Sequence, residues 1–165
     1  MSDFDVQQFI DDVQQEQLES KFVPIPVGDY DAYVKPGSVE VAVIAFKEGS
    51  DNGVDIVLQD GTVVHGGKKF KCKWVINDPA LAEQLGLPEL VVRQEFLLDL
   101  TPTGAIAHGT NRNTRLGKIL EAGGILPPWS FRQVEGVHAR VRVKHRADQS
   151  DPEIKYPEVS SVARA

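Results

Sequence analysis

Apolar and polar positions alternate most strictly in two stretches, VHARVRVKHR at 137–146 and KKFKCKWVI at 68–76. A period of two is that of a strand with one buried face. The first stretch predicts Val137, Ala139, Val141 and Val143 inward and Arg140, Arg142, Lys144 and Arg146 outward. The second predicts Phe70, Cys72, Trp74 and Ile76 inward, with Lys69, Lys71, Lys73 and Val75 outward. DYDAYV, SVEVAVIAF and VDIVLQD are further strand-like runs, parted by turn signals at Pro36-Gly37 and Ser50 to Gly53, and their spacing predicts a β-meander. LVVRQEFLLDL predicts a more apolar strand, and EVSSVAR a short closing one.

Helical spacing is rarer. DVQQFIDDVQQEQLES sets Val6, Phe9, Ile10, Val13 and Leu18 near helical intervals, and Pro24 and Pro26 block continuation of that helix. This gives an acidic helical arm at 1–21 ahead of a single domain at 22–165. PALAEQLG predicts one or two turns ending at Gly86. In NTRLGKILEAGG, Asn113 or Thr114 is placed to cap a helix whose buried stripe is Leu116, Ile119 and Leu120, and Gly123-Gly124 stop it.

Composition narrows the class. A chain of 165 residues with 41% apolar content can bury one core. No apolar run approaches the ~20 residues that span a bilayer, and the acidic start is unlike a targeting peptide, so a cytoplasmic protein with no membrane partner is expected. The single cysteine, Cys72, excludes an internal disulfide and argues against structural zinc. Net charge is −6, but it is segregated: residues 1–62 hold three lysines against thirteen acids, whereas 101–146 hold eight Lys and Arg against two acids. Such asymmetry is expected of a basic surface facing a partner.

Catalytic motifs are wanting. GTVVHGGKK has Thr62 and Lys69 where a P-loop needs Gly and Ser or Thr, and a strand follows it rather than a helix. SDNGVD lacks the ligand spacing of a calcium loop and reads as a hairpin turn. His65, His108, His138 and His145 are scattered, and no nucleophile has an evident base. The expectation is a non-enzymatic binding protein without a cofactor or metal.

A mainly β chain with one helix between strands fits an OB-fold barrel of about five or more strands with extensions. Such barrels hold single-stranded nucleic acid in a basic groove and stack bases on aromatic rings. The candidate phosphate contacts are Lys69, Lys71, Lys73, Arg112, Arg115, Arg140, Arg142, Lys144 and Arg146, and the rings to consider are Tyr30, Tyr33, Phe70, Trp74, Trp129, Phe131 and Tyr156. Phe70 and Trp74 share the face of Cys72, which favours the core for both. Trp129 and Phe131, in PPWSF, are the candidate base platform, with a plug on the barrel end as the equal alternative.

FVPIPVGDYDAYV, FKCKWVINDP, TRLGKILEAGG and VEGVHARVRVKHR, in that order, resemble the opening Pro-x-Gly-(Asp/Glu)-Tyr strand, the aromatic strand, the leucine-rich helix and the basic strand of a bacteriophage single-stranded-DNA-binding family. That family was formerly catalogued as a domain of unknown function. The similarity runs from about residue 22 to about residue 162. It implies an OB fold and the coating of single-stranded DNA in phage replication or recombination, within the host cytoplasm. Many single-stranded-DNA-binding proteins carry an acidic C-terminal tail, whereas here the acidic segment is the arm, Asp3 to Glu19. The arm could compete with DNA for the groove, dock replication or recombination proteins, or serve as a solubilising or oligomerising helix. The rival from another class is a protein–protein adaptor or minor virion component. A nuclease would need Asp29, Asp31, Asp51, Asp55 and Asp60 to converge on a metal.

Overall fold

The structure, a computed structural model, describes residues 5–14 and 25–165. Leu18 and Pro24 therefore lie outside the described residues. The elements are α1 (Val6–Asp11), β1 (Gly28–Val34), β2 (Glu40–Ala45), β3 (Val54–Val57), β4 (Val63–Ile76), α2 (Pro79–Leu85), β5 (Leu90–Leu97), α3 (Thr114–Ala122), β6 (His138–Ala147) and β7 (Lys155–Ala163), with a 3-10 turn at Phe131–Val134.

The fold is mainly β, one seven-stranded sheet whose hydrogen bonding returns on itself. β1 pairs with β6, β6 with β7, β7 with β5, β5 with β4, and β4 again with β1. All these pairs are antiparallel except β5 with β7, which is parallel. α3 lies in the chain between β5 and β6 and packs on β7 and β6 through Leu116 and Ile119, both buried.

The meander expected for the first three strands does not form. β1 reaches past its sequence neighbours to β6 and β4, while β2 and β3 each pair with β4. The cause is the length of β4, at 14 residues the longest strand. Its first half carries β2 and β3, and its second half is left for β1 and β5. Gly66 is opposite both Ala45 of β2 and Val54 of β3, so it lies between them. A Cβ there would sit 1.8 Å from the Ile44 carbonyl oxygen, a backbone atom with little room to retreat. Gly66→Ala is accordingly expected to cost ~2 kcal/mol or more, read as a lowered urea midpoint.

Alternation is realised in both strict stretches. Phe70, Cys72, Trp74, Ile76, Ala139, Val141 and Val143 are all buried, joined by Val34, Leu90, Val92 and Phe96 from the facing strands. Val75, expected outward, is buried as well, because β1 and β5 flank it with Tyr33 and Val91. Gln94 is the buried polar side chain among the described residues, and its Oε1 accepts a 2.8 Å hydrogen bond from Trp74 Nε1.

The helix ends follow local chemistry. Asp78 caps α2 by accepting from the Leu81 N–H, and Gly86, at φ +68°, closes it. α3 ends with Gly124 left-handed and the Ile125 N–H donating to the Leu120 carbonyl. Asn113 stands at the N-cap of α3, yet its side chain serves the preceding loop. Its Oδ1 accepts from the Asp99 N–H and its Nδ2 donates to the Asp99 and Ala107 carbonyls. α1 is shorter than the periodicity predicts: Asp5 caps it, Asp12 is already extended, and none of its residues is buried. No described helix is long and apolar enough to cross a membrane.

Candidate nucleic-acid interface

Strand alternation puts three polar rows on the outside of the ring. β4 contributes Lys69, Lys71 and Lys73, β5 contributes Arg93 and Glu95, and β6 contributes Arg140, Arg142, Lys144 and Arg146. The register then decides which charges meet. Lys73 faces Arg93, while Lys71 is flanked by Glu95 on β5 and Glu40 on β2. Lys69 Nζ lies 3.6 Å from Glu95 Oε2.

The β6 row is largely neutralised by its own neighbours. Pairing with β1 sets Asp31 opposite Arg140 and Asp29 opposite Arg142, with ion pairs of 3.1 and 3.3 Å. On the other side Arg146 meets Glu158 of β7 at 3.3 Å, and Lys144 faces the same glutamate in register. Charges that are segregated along the sequence are thus interleaved in space, which corrects the expectation of an unopposed basic strand. Among the described residues, Lys71, Lys73, Arg93 and Lys144 are the cations of these rows outside any ion pair.

Two adjoining clefts cross the outer face of β4, β5 and β7 and share Arg93 and Glu95 as a common wall. One, of ≈450 Å³, is lined by Val91, Arg93, Glu95, Arg146, Tyr156, Pro157 and Glu158. The other, of ≈230 Å³, is lined by Ser38, Glu40, Lys71, Lys73, Arg93 and Glu95, together with Cys72. Together they hold four cations and three carboxylates around one aromatic residue, Tyr156, which is 40% exposed. The Arg146 guanidinium carbon lies 5.8 Å from the Tyr156 ring centroid, and the phenol donates to Asp148 Oδ2 at 3.2 Å. That hydrogen bond, ahead of the charge of Asp148, holds the Tyr156 pKa above its ordinary value, so the ring stays neutral. Burial pushes the Cys72 thiol up to about 12, so it is a packing group rather than a nucleophile.

The other candidates lie elsewhere. Arg112 lines a separate cavity beside Gly66, Gly67 and Leu98, and Arg115 lines a shallow groove between α3 and β7 with Lys118 and Ser160. Trp129 and Phe131 are partly buried and pack on the core. Trp129 meets Phe131 edge-on at 5.4 Å, Phe131 reaches Phe70 at 5.9 Å, and Phe70 stacks on Phe96 at 5.0 Å. That chain of rings ties both side chains to the core. Tyr30 is likewise tied down, its hydroxyl donating to the Pro26 carbonyl.

Sequence reasoning passed over Arg93, Glu95 and Glu158, and it considered Asp29 and Asp31 as metal ligands rather than as partners of the basic strand. The alternation of LVVRQEFLLDL carries the signal for Arg93 and Glu95. Nothing local signals Asp29 and Asp31 as partners of residues 109 and 113 positions away. The aspartates named for a metal do not converge: Asp55 is engaged with His65, Asp29 and Asp31 with arginines, and no group of three or more His, Cys, Asp or Glu gathers among the described residues. Comparison with family models, with curated proteins and with solved structures gave no match.

Proposed function

We propose that this chain is an OB-type barrel that binds single-stranded DNA across the outer face of β4, β5 and β7. The barrel reading is supported by a five-strand ring with one parallel pair and a helix between the third and fourth strands of that ring. The observation that carries the binding reading is the pair of contiguous clefts, which brings Lys71, Lys73, Arg93 and Arg146 beside the exposed ring of Tyr156. Cations spaced along a groove contact phosphates, and a ring among them stacks a base, which suits a single strand better than a stiff duplex. Lys69 and Lys144 flank this path, and Arg140 and Arg142 serve the β1–β6 pairing. A role in phage replication or recombination rests on the sequence resemblance alone, and docking of partner proteins by the arm rests on its acidic charge.

Titration of a fluorescent oligonucleotide, single strand against duplex, tests the reading. Two to four phosphate contacts predict that log affinity falls with log salt at a slope of about −1.4 to −3 for a single strand. The shallow slope reflects the carboxylates that share the groove. Affinity that is flat in salt, or no binding at all, would overturn the groove and favour a protein partner for this face.

A further inference from the structure

The half of β4 that extends past the ring holds a second arrangement with its own chemistry. The His65 ring is bonded at both nitrogens: Nδ1 lies 2.9 Å from Asp55 Oδ1 on β3, and Nε2 lies 3.0 Å from the Ser50 carbonyl oxygen in the loop joining β2 to β3. Both partners are acceptors only. A neutral imidazole has one N–H and can satisfy one of them, leaving its other lone pair against an oxygen, whereas the imidazolium donates to both. The geometry therefore specifies the charged ring.

The surroundings are built for it. A Cβ on Gly53 would lie 2.9 Å from His65 Nε2 and 3.1 Å from Gly66 Cα, so the bare glycine leaves the space in which the ring reaches Ser50. The acids near the ring are Asp55 on β3 and Asp51 in the loop, and on the other side β2 gives way to Phe46, whose N–H donates to the His65 carbonyl. The loop so held carries Asn52, which forms one wall of a ≈270 Å³ cavity with Phe46, Val54, Gly67 and Arg112.

We propose that His65 is a proton-operated clasp, fastening the 47–53 loop to β3 and β4 when charged and releasing it, with the Asn52 wall of the cavity, when neutral. The Asp55 hydrogen bond foremost, and then the Ser50 carbonyl, raise the His65 pKa above 6.5. The folded value is the higher one, so the clasp is complete below the unfolded value of 6.5 and is lost as pH climbs through the folded value. The loop therefore responds as pH rises above 6.5.

An NMR pH titration of the whole chain tests this. The His65 ring signals and the backbone amides of 48–52 should move together, with one midpoint above 6.5, while amides of β5, which carries no histidine, stay still. Asp55→Asn should lower that midpoint and bring loop release to a lower pH. Loop amides that ignore the His65 titration, or a midpoint that Asp55→Asn leaves unchanged, would overturn the clasp. A coincident shift of β5 amides would mean general unfolding and would overturn it equally.

Discussion

Val141→Asp should lower the urea midpoint steeply, while Arg142→Ala, one residue along the same strand, moves it only slightly. Val141 is 0% exposed and sits in the middle of β6, opposite Tyr30 of β1 and Val162 of β7. The substitution forfeits the transfer energy of a buried valine, ~1.5–3 kcal/mol, and puts a carboxylate among Val34, Trp74 and Val143 with no cation on that face. A loss above ~4 kcal/mol follows, a large part of the ~5–15 kcal/mol that holds a domain of this size. Arg142 is on the outer face, about half exposed in its ion pair with Asp29, and such a pair is worth ~0.2–1 kcal/mol. Urea titrations followed by circular dichroism separate the two. Equal destabilisation by both variants would mean that β6 does not present its valines to the core.

The contrast between these neighbours was legible in the sequence, because a strand's in-and-out alternation is written in adjacent residues. The same locality made α2 and α3 legible: Asp78 before Pro79, Gly86 after Leu85, and Gly123-Gly124 after Ala122 act within a turn of where they stand. What the sequence withheld is partnership. β1 could have paired with β2 across the Pro36-Gly37 turn, and nothing in DYDAYV says that its aspartates face β6 instead. Register across more than a hundred residues is settled by which apolar faces close on one core, and a single residue of slip would reverse every side chain. For this reason the basic strand looked unopposed when it is in fact interleaved with Asp29, Asp31 and Glu158. The ambiguity of Trp129 and Phe131 had the same origin, since only the folded chain brings Phe70 to Phe131 and, through it, to Trp129. The meander failed because strand runs reveal nothing of how much of a long partner such as β4 is already taken.

That redistribution of charge separates two pairs of residues that look equivalent in the sequence. Lys73 and Arg93 face each other across β4 and β5, both line the smaller cleft, and neither takes part in an ion pair among the described residues. A phosphate bound there displaces no carboxylate, and two like charges side by side in the free protein are relieved by its arrival. Lys73→Glu combined with Arg93→Glu should therefore lower single-strand affinity about 30-fold, ~2 kcal/mol, with a flatter salt dependence, and change the melting temperature little, since one like-charge pair replaces another. Arg140→Glu with Arg142→Glu should do the reverse. Those reversals set glutamates against Asp31 and Asp29 and strip the β1–β6 seam of both its ion pairs, so melting falls by an amount worth ~1–2 kcal/mol. Affinity, measured on the folded fraction, should change less than about threefold, which is under ~0.7 kcal/mol. Oligonucleotide titrations of the two double variants, each with its fold verified by circular dichroism, give opposite rankings under this account and under one in which β6 is the DNA-binding row. If reversal on β6 costs more affinity than reversal at Lys73 and Arg93, the strand lies across β1 and β6 and the clefts are not its path.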